Sequence, residues 1–230
     1  MDGHFVPNRT FFSDTIKNLR RITSLPFDAH LMIEEPIHHI QDYIDARCDI
    51  ISIHVEACNK NEFTEINERL LKAGISPGIA LNPDTAIPPW VYECLDTIDV
   101  VIVMSVNPGF AGQKFIHETL YKMTEISKSL RQHNYRGYIE ADGGIDATNL
   151  QQVFDAGARI IVAGSAVYGS ADINLNLIQL RHKANVALER KLLDLATAKG
   201  IRTDWMKTRK HILIPLANEL RVEDELHAIK

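Results

Sequence analysis

The feature that most constrains this chain is an alternation of short apolar runs with amphipathic stretches. Six short runs, most of them with β-branched residues, are predicted as strands: FDAHLM (27–32), DIISIHV (49–55), SPGIALN (76–82), DVVIVMSV (99–106), GYIEAD (137–142) and RIIVAGSAV (159–167). The stretches between them, such as NEFTEINERLLKAG, have apolar residues at helical spacing. This alternation predicts βαβ units and a parallel sheet. Because the runs are apolar on both faces and no G-x-G-x-x-G follows an early strand, we expect a (β/α) barrel rather than an open doubly wound sheet.

Composition limits the class of protein further. With 230 residues at 45% hydrophobic, the chain can form one sizeable core. The three cysteines are too few for a disulfide framework or a zinc ribbon, which predicts a reducing cytoplasm. No run reaches the roughly 18 apolar residues of a membrane helix, and the opening MDGHFVPN has no signal-peptide pattern. We therefore expect a cytoplasmic protein with no membrane partner.

Charge is divided unevenly along the chain. Residues 181–230 carry 11 Lys and Arg against 7 Asp and Glu, whereas residues 1–180 carry 14 against 23. A body this acidic is a poor binder of nucleic acid, because phosphate contacts need clustered cations. If the chain binds a phosphorylated small molecule, backbone amides are expected to make much of the contact.

Polar or small residues stand at the end of each predicted strand. In a barrel, the carboxyl ends of the strands form the catalytic rim. A lone histidine at a strand end is more often structural, but six consecutive strands with this pattern favour a site. The residues concerned are His30, His54, Asn82, Met104-Ser105, Asp142-Gly143-Gly144 and Gly164-Ser165.

Three of these segments suit the binding of a ligand. Asp142-Gly143-Gly144 places a carboxylate before two residues that permit close backbone approach, with an Asx-turn as the less favoured alternative. The loop from Ser105 to Gln113, which contains Gly109, suits a lid or a phosphate-binding loop, or is a plain turn. Ala163–Ala166 lies where barrels often bind phosphate through backbone N–H groups. Together these segments predict an anion site.

Seven segments occur in order along residues 1 to about 180: MDGHFVPN (1–8), DAHLMIEEP (28–36), IHVEA (53–57), ALNPDT (80–85), VMSVNPGFAGQKF (103–115), EADGGI (140–145) and VAGSAVYG (162–169). They resemble the successive motifs of the ribulose-phosphate 3-epimerase family, which includes the allulose-6-phosphate 3-epimerases. The resemblance implies a (β/α)8 TIM barrel and epimerisation at C3 of a ketose phosphate. D-ribulose 5-phosphate is the expected substrate and allulose 6-phosphate the alternative.

The resemblance also implies roles for individual residues. Epimerisation needs two acid/base groups on opposite faces of a planar enediolate, and a divalent metal stabilises the negative charge that develops. Asp142 is implied as one acid/base carboxylate and as a metal ligand, and His30 as a second ligand. Zinc, manganese, iron and cobalt all accept such donors. Met1, Met32 and Met104 are implied to line the reaction centre, and Gly109, Gly143, Gly144, Gly164 and Ser165 to bind substrate and phosphate.

The start of the chain departs from the family pattern. The family motif reads His-x-Asp-x-Met-Asp-Gly, and Met1 aligns with its methionine. The resemblance therefore places two further metal ligands, one of them the second acid/base carboxylate, before Met1, together with the first strand and most of the second. Three explanations stay open: a start site that lies further upstream, a short form that binds a sugar phosphate without turnover, or residues 181–230 covering the gap.

The organisation that follows is an incomplete barrel over 1–180 and a helical extension over 181–230. ANVALERKLLDLATAK predicts a helix that ends at Gly200, and HILIPLANEL (211–220) predicts a further element, in which Pro215 argues against a central strand. The extension is expected on the barrel or at a subunit interface, which leaves a homo-oligomer open. A decarboxylase or an indole-pathway enzyme on a similar barrel is a third alternative, which the HLM and NPGF segments disfavour.

Overall fold

A computed structural model describes residues 1–198, with side chains as far as residue 191. Six strands pair in chain order into one sheet, and every pairing is parallel. The strands are β1 (Asp28–Leu31), β2 (Ile50–His54), β3 (Ser76–Leu81), β4 (Val100–Met104), β5 (Tyr138–Asp142) and β6 (Ala158–Val162). The sequence-based prediction of a parallel barrel-type sheet is confirmed.

Helices follow the strands along the chain. They are α1 (Ser13–Leu19), α2 (Pro36–Asp45), α3 (Lys60–Lys72), α4 (Pro89–Cys94), α5 (Thr119–Gln132), α6 (Leu150–Ala156), α7 (Ser165–Tyr168) and α8 (Ile173–Ala198). Local sequence fixes several of their ends. The α3 helix begins with a capping box in which the Asn59 side chain accepts from the Glu62 amide and Glu62 accepts from the Asn59 amide. The α6 helix ends at Gly157, whose φ of 115° is accessible to glycine at little cost.

The core has two layers because side chains alternate across a strand. On the helix side, Ile79, Leu81, Val101 and Val103 pack against the surrounding helices. On the opposite side, Ala80, Ile102 and Met104 form a smaller apolar cluster inside the curl of the sheet, with Met32 and Val6. The curled sheet therefore buries both of its faces, as a barrel does.

The structure corrects some predicted boundaries. The sixth strand was expected to continue to residue 167, but β6 ends at Val162 and Ser165–Tyr168 is the helix α7. Helices α1 and α4 were not predicted, since their short segments have too few turns for helical periodicity to show. Helix α8 crosses residue 180 without a break, and the division of the chain at that residue stays a prediction. The predicted helix end at Gly200 and the element at 211–220 lie outside the described residues.

Within residues 1–198, the outer edges of β1 and β6 have no strand partner. None of the helices in this part of the chain has the length and apolar character that crossing a bilayer requires.

Candidate active site

Two predicted site residues from distant parts of the chain meet at the carboxyl end of the sheet. His30 lies in β1 and Asp142 is the last residue of β5. His30 Nδ1 lies 3.2 Å from Asp142 Oδ2. Three strands separate β1 from β5 in the sheet order, so this contact exists because the sheet curls back on itself.

A second histidine continues this contact into the protein. His54, which ends β2, is fully buried, and its Nε2 lies 2.8 Å from Nε2 of His30. The two ring planes are within 17° of parallel and their centroids are 4.9 Å apart, so the rings meet edge to edge. His54 Nδ1 lies 3.0 Å from Glu56 Oε2. The result is a continuous series of contacts from Asp142 through His30 and His54 to Glu56.

Glu56 is held as a carboxylate. Its Oε1 accepts a hydrogen bond of 2.8 Å from the Asn82 backbone N–H. Burial opposes ionisation, but hydrogen bonds from His54, Thr85 and the Asn82 amide outweigh it and lower the pKa of Glu56 to about 2. For His54 the balance is reversed, because burial lowers the pKa of its imidazole against the opposing effect of Glu56. A neutral His54 therefore faces an ionised Glu56.

A pair of acids, Asp28 and the buried Glu140, lies two residues before His30 and Asp142 on the same strands. Glu140 is only 2% exposed, and burial together with Asp28 raises its pKa to about 9. Burial also raises the pKa of Asp28, with which Glu140 shares a side-chain hydrogen bond. Glu140 accordingly holds a proton at neutral pH and donates it to Asp28. Asp28 and Glu140 therefore form a second contact between β1 and β5, two residues nearer the start of each strand.

Two cavities open beside Asp142. The larger, about 500 Å³, is lined among others by Asp28, His30 and Phe11. The smaller, about 220 Å³, is lined among others by Met104 and Val106. Met1, Met32 and Asp142 border both cavities, so the carboxylate stands where they meet. The smaller cavity also takes in all the predicted substrate-binding residues: Gly109, Gly143, Gly144, Gly164 and Ser165.

The glycines of the smaller cavity are there for different reasons. Gly144 has a φ of 63°, and a Cβ on it would lie 2.6 Å from the Phe115 amide nitrogen. Gly143 has a φ of 120°, and a Cβ there would overlap the Val106 side chain. Both positions require glycine for backbone conformation and packing alike. Gly164 differs, because a Cβ on it would meet no atom within 4 Å and would project into open space.

The donor atoms of His30 and Asp142 have the spacing that a divalent cation requires, but they are only two. Imidazole nitrogen and carboxylate oxygen each bind such ions at about 2.1 Å, so two ligands of one ion are expected about 3.0–3.4 Å apart. The 3.2 Å between His30 Nδ1 and Asp142 Oδ2 falls within this range. Among the side chains that the structure describes, residues 1–191, no three from His, Cys, Asp or Glu converge as a metal site. The described residues thus offer two ligands where catalytic sites usually have three.

The structure brings the predicted site residues together and adds others. His30, Asp142, the three methionines and the substrate-binding residues all border the two cavities. Their roles stay predictions. Sequence reasoning missed Glu56, Asp28 and Glu140. The available signal was spacing, because each lies two residues from a polar strand-end residue, and Asp28 and Glu140 therefore face the same side of the strand as their neighbours.

Comparison with known proteins gives consistent matches. The model of the ribulose-phosphate 3 epimerase family matches residues 1–168. A protein of Bacillus subtilis (strain 168) named ribulose-phosphate 3-epimerase is 41% identical over 182 residues, which cover 79% of this chain and 82% of the relative. A protein of the same name from Treponema pallidum (strain Nichols) is 42% identical over 173 residues, with 73% and 76% covered.

Solved structures share the fold at low identity. The 3-keto-L-gulonate-6-phosphate decarboxylase of Vibrio cholerae has a TM-score of 0.57 at 13% identity. The match covers 75% of this chain and 78% of the decarboxylase chain. The 3-hexulose-6-phosphate synthase of Salmonella typhimurium has a TM-score of 0.59 at 17% identity, with 76% and 81% covered. At these identities the likeness shows a common barrel-type architecture.

Proposed function

The chain belongs to the ribulose-phosphate 3-epimerase family and is an epimerase, an isomerase by class, and we propose that it inverts C3 of D-ribulose 5-phosphate to give D-xylulose 5-phosphate. The observation that carries this proposal is the position of Asp142 at the junction of two cavities. One cavity adjoins the imidazole of His30, and the other is bordered by glycine-rich backbone. A ketose phosphate needs both surroundings, one for its reacting carbon and one for its phosphate.

The proton transfer is assigned to Asp142. Its carboxylate removes or returns the C3 proton on one face of the sugar, and general acid–base catalysis of this kind is worth about 10²- to 10⁴-fold in rate. Met32 and Met104 flank the carboxylate and limit the access of water to the enediolate. Inversion needs a second acid/base group on the opposite face, and its expected location before Met1 stays a prediction.

A divalent metal is part of the proposal. His30 Nδ1 and Asp142 Oδ2 would hold it, and zinc, manganese, iron and cobalt all suit this donor pair. When bound, the ion would polarise the ketone and hydroxyl oxygens of the substrate as a Lewis acid. The residues themselves contribute by fixing the positions of the two donor atoms on the ends of β1 and β5.

Phosphate recognition is assigned to backbone amides in the smaller cavity. None of the described residues that border this cavity is Lys or Arg. Gly144, Gly164 and Ser165 can bring N–H groups close to a phosphate because two of them lack a side chain. This proposal agrees with the excess of acidic residues over residues 1–180. The cytoplasmic location likewise stays a prediction.

One experiment separates the candidate functions. The protein is incubated with D-ribulose 5-phosphate in deuterium oxide and followed by proton NMR. The proposal predicts D-xylulose 5-phosphate together with deuterium at C3. Calorimetric binding without exchange would favour a relative that binds sugar phosphate without turnover, and faster exchange on allulose 6-phosphate would favour that substrate. The absence of both binding and exchange would contradict the proposed function.

A further inference from the structure

When both imidazoles are neutral, as binding of a cation at His30 requires, the series from Asp142 through His30 and His54 to Glu56 has fewer ring protons than contacts. Three contacts join the four groups: Asp142 to His30 at 3.2 Å, His30 to His54 at 2.8 Å and His54 to Glu56 at 3.0 Å. Each contact needs one proton to be a hydrogen bond. Two neutral imidazoles carry two ring protons between them. One of the three contacts is therefore left without a proton, with a nitrogen lone pair facing an acceptor.

The position of the unfilled contact follows from the surroundings. The His54 side chain is 0% exposed, so a lone pair of His54 against the Glu56 carboxylate would be repulsive and unscreened. The contact between the two histidines also needs its proton, because two ring nitrogens only 2.8 Å apart repel when both carry lone pairs. The contact between His30 and Asp142, in contrast to the fully buried ring of His54, borders a cavity that water or an ion can enter. The missing proton is least costly there.

We propose that Glu56 and His54 are positioning residues that set the tautomer of His30, so that His30 Nδ1 directs a lone pair toward a cation shared with Asp142. Glu56 Oε2 accepts from His54 Nδ1–H, which leaves Nε2 of His54 as an acceptor. His30 must then donate through Nε2–H, and its Nδ1 carries no proton. The low pKa of Glu56 supports this order, because an ionised carboxylate can only accept.

Glu56 has a feature that makes this order testable. Its second oxygen, Oε1, accepts from the Asn82 backbone N–H at 2.8 Å. In Glu56→Gln the amide oxygen is expected to keep that bond, because an NH₂ group placed there would face another donor. The amide NH₂ then faces His54 Nδ1 and requires it to accept. The protonated and unprotonated nitrogens then exchange places in both imidazoles, and His30 Nδ1 directs a proton at Asp142 in place of a lone pair.

The first test reads the tautomers directly and uses the full chain. Long-range proton–nitrogen correlation spectra of nitrogen-15-labelled protein distinguish a protonated ring nitrogen from one with a lone pair. At alkaline pH, where both rings are neutral, we expect Nε2–H at His30 and Nδ1–H at His54, and the reverse in Glu56→Gln. A wild-type spectrum with Nδ1–H at His30 would overturn the proposal, whether or not the variant folds.

The second test measures binding of Zn²⁺ alone by calorimetry. Residues that orient a metal-binding histidine through its other nitrogen are typically worth about 10- to 100-fold in metal affinity. We expect Glu56→Gln to weaken Zn²⁺ binding within that range. Glu93→Gln is the matched control, since it removes the same charge from an exposed ion pair with Lys60. Equal affinity in wild type and Glu56→Gln would contradict the proposal.

The role of the cation in this inference rests on the proposed function. The proposed function and the tautomer order can nevertheless fail separately. Tautomers in the proposed order without any exchange at C3 would contradict the proposed function alone. Turnover with His30 protonated on Nδ1 would contradict this inference alone.

Discussion

His30 Nδ1 and Asp142 Oδ2 lie 3.2 Å apart although 112 residues and three intervening strands separate them. Neighbouring strands lie about 4.8 Å apart, so β1 and β5 would be about 19 Å apart in a flat sheet. Only curvature brings the two side chains into contact. The hydrogen bond between Asp28 and Glu140 shows that β1 and β5 are also close to each other two residues earlier along both strands. The candidate site is therefore a direct product of the barrel-type curl.

Replacing the proposed base should greatly reduce turnover and preserve the fold. Asp142→Asn keeps the size of the side chain but removes its ability to take a proton at neutral pH. We expect kcat for ribulose 5-phosphate to fall by about 10²- to 10⁴-fold, with a thermal transition close to that of wild type. Asp96→Asn, at an exposed position, is the control for loss of one charge. Full turnover in Asp142→Asn would remove this residue from the mechanism.

A larger side chain at Gly164 should block phosphate binding without unfolding the protein. The position has open space around it and a φ that is not in the left-handed region, so Gly164→Val should fold normally. Its methyl groups would occupy the smaller cavity, in which we place the phosphate. Calorimetric titration with ribulose 5-phosphate should show a loss of affinity of tenfold or more. Unchanged affinity would exclude this phosphate site.

The 230-residue chain should hold a divalent metal weakly. His30 and Asp142 provide two donors, and no group of three converges among the side chains described, residues 1–191. With fewer protein ligands than the usual three, the ion should be lost on dialysis. Elemental analysis of a purified, dialysed sample is expected to give well below one ion per chain. One full equivalent retained after dialysis would show that further ligands complete the site.

The hydrogen bonds to Glu56 should make stability depend on pH in the acid range. The pKa of Glu56 is lowered from 4.5 to about 2 in the folded protein. Its contribution to the free energy of unfolding is complete above the unfolded value and declines as the pH falls toward the folded one. Urea unfolding should therefore give a wild-type advantage over Glu56→Gln that is constant from about pH 7 to pH 5 and shrinks below that range. An advantage that persists undiminished at the lowest pH measured would contradict the assignment.

The chain should self-associate through the region around the open edge of β1. The outer edges of β1 and β6 are unpaired within residues 1–198, and Phe11, Ile22 and Leu25 are each at least 70% exposed. Unpaired strand edges beside apolar surface favour association. Light scattering after size-exclusion chromatography should show dimers or larger species, reduced in Ile22→Lys. Tyr121→Lys, on α5 and 81% exposed in wild type, is the control. A wild-type monomer at high concentration would refute the prediction.

Much of the fold was predictable because it depends on local patterns. The run DVVIVMSV is apolar at every position from Val100 to Met104, which identifies a strand covered on both faces, and β4 spans these same residues. The run RIIVAGSAV misled the prediction at its end. Small residues after Val162 are compatible with a strand or a helix, and the packing of α7 against α8 decides in favour of a helix. Local sequence therefore identifies elements more securely than their ends.

By itself, the sequence determined the order of strands and helices and the set of residues at the strand ends, because side-chain periodicity and residue type are local properties. Asp142, His30 and the glycines could be selected on these grounds and by resemblance. What only the tertiary structure decided is which of these groups touch. The series from Asp142 through His30 and His54 to Glu56 joins three strands and a following turn. The distances between these four side chains depend on the curvature of the sheet. That curvature is the sum of small twists in every strand, so no single residue in the sequence determines it.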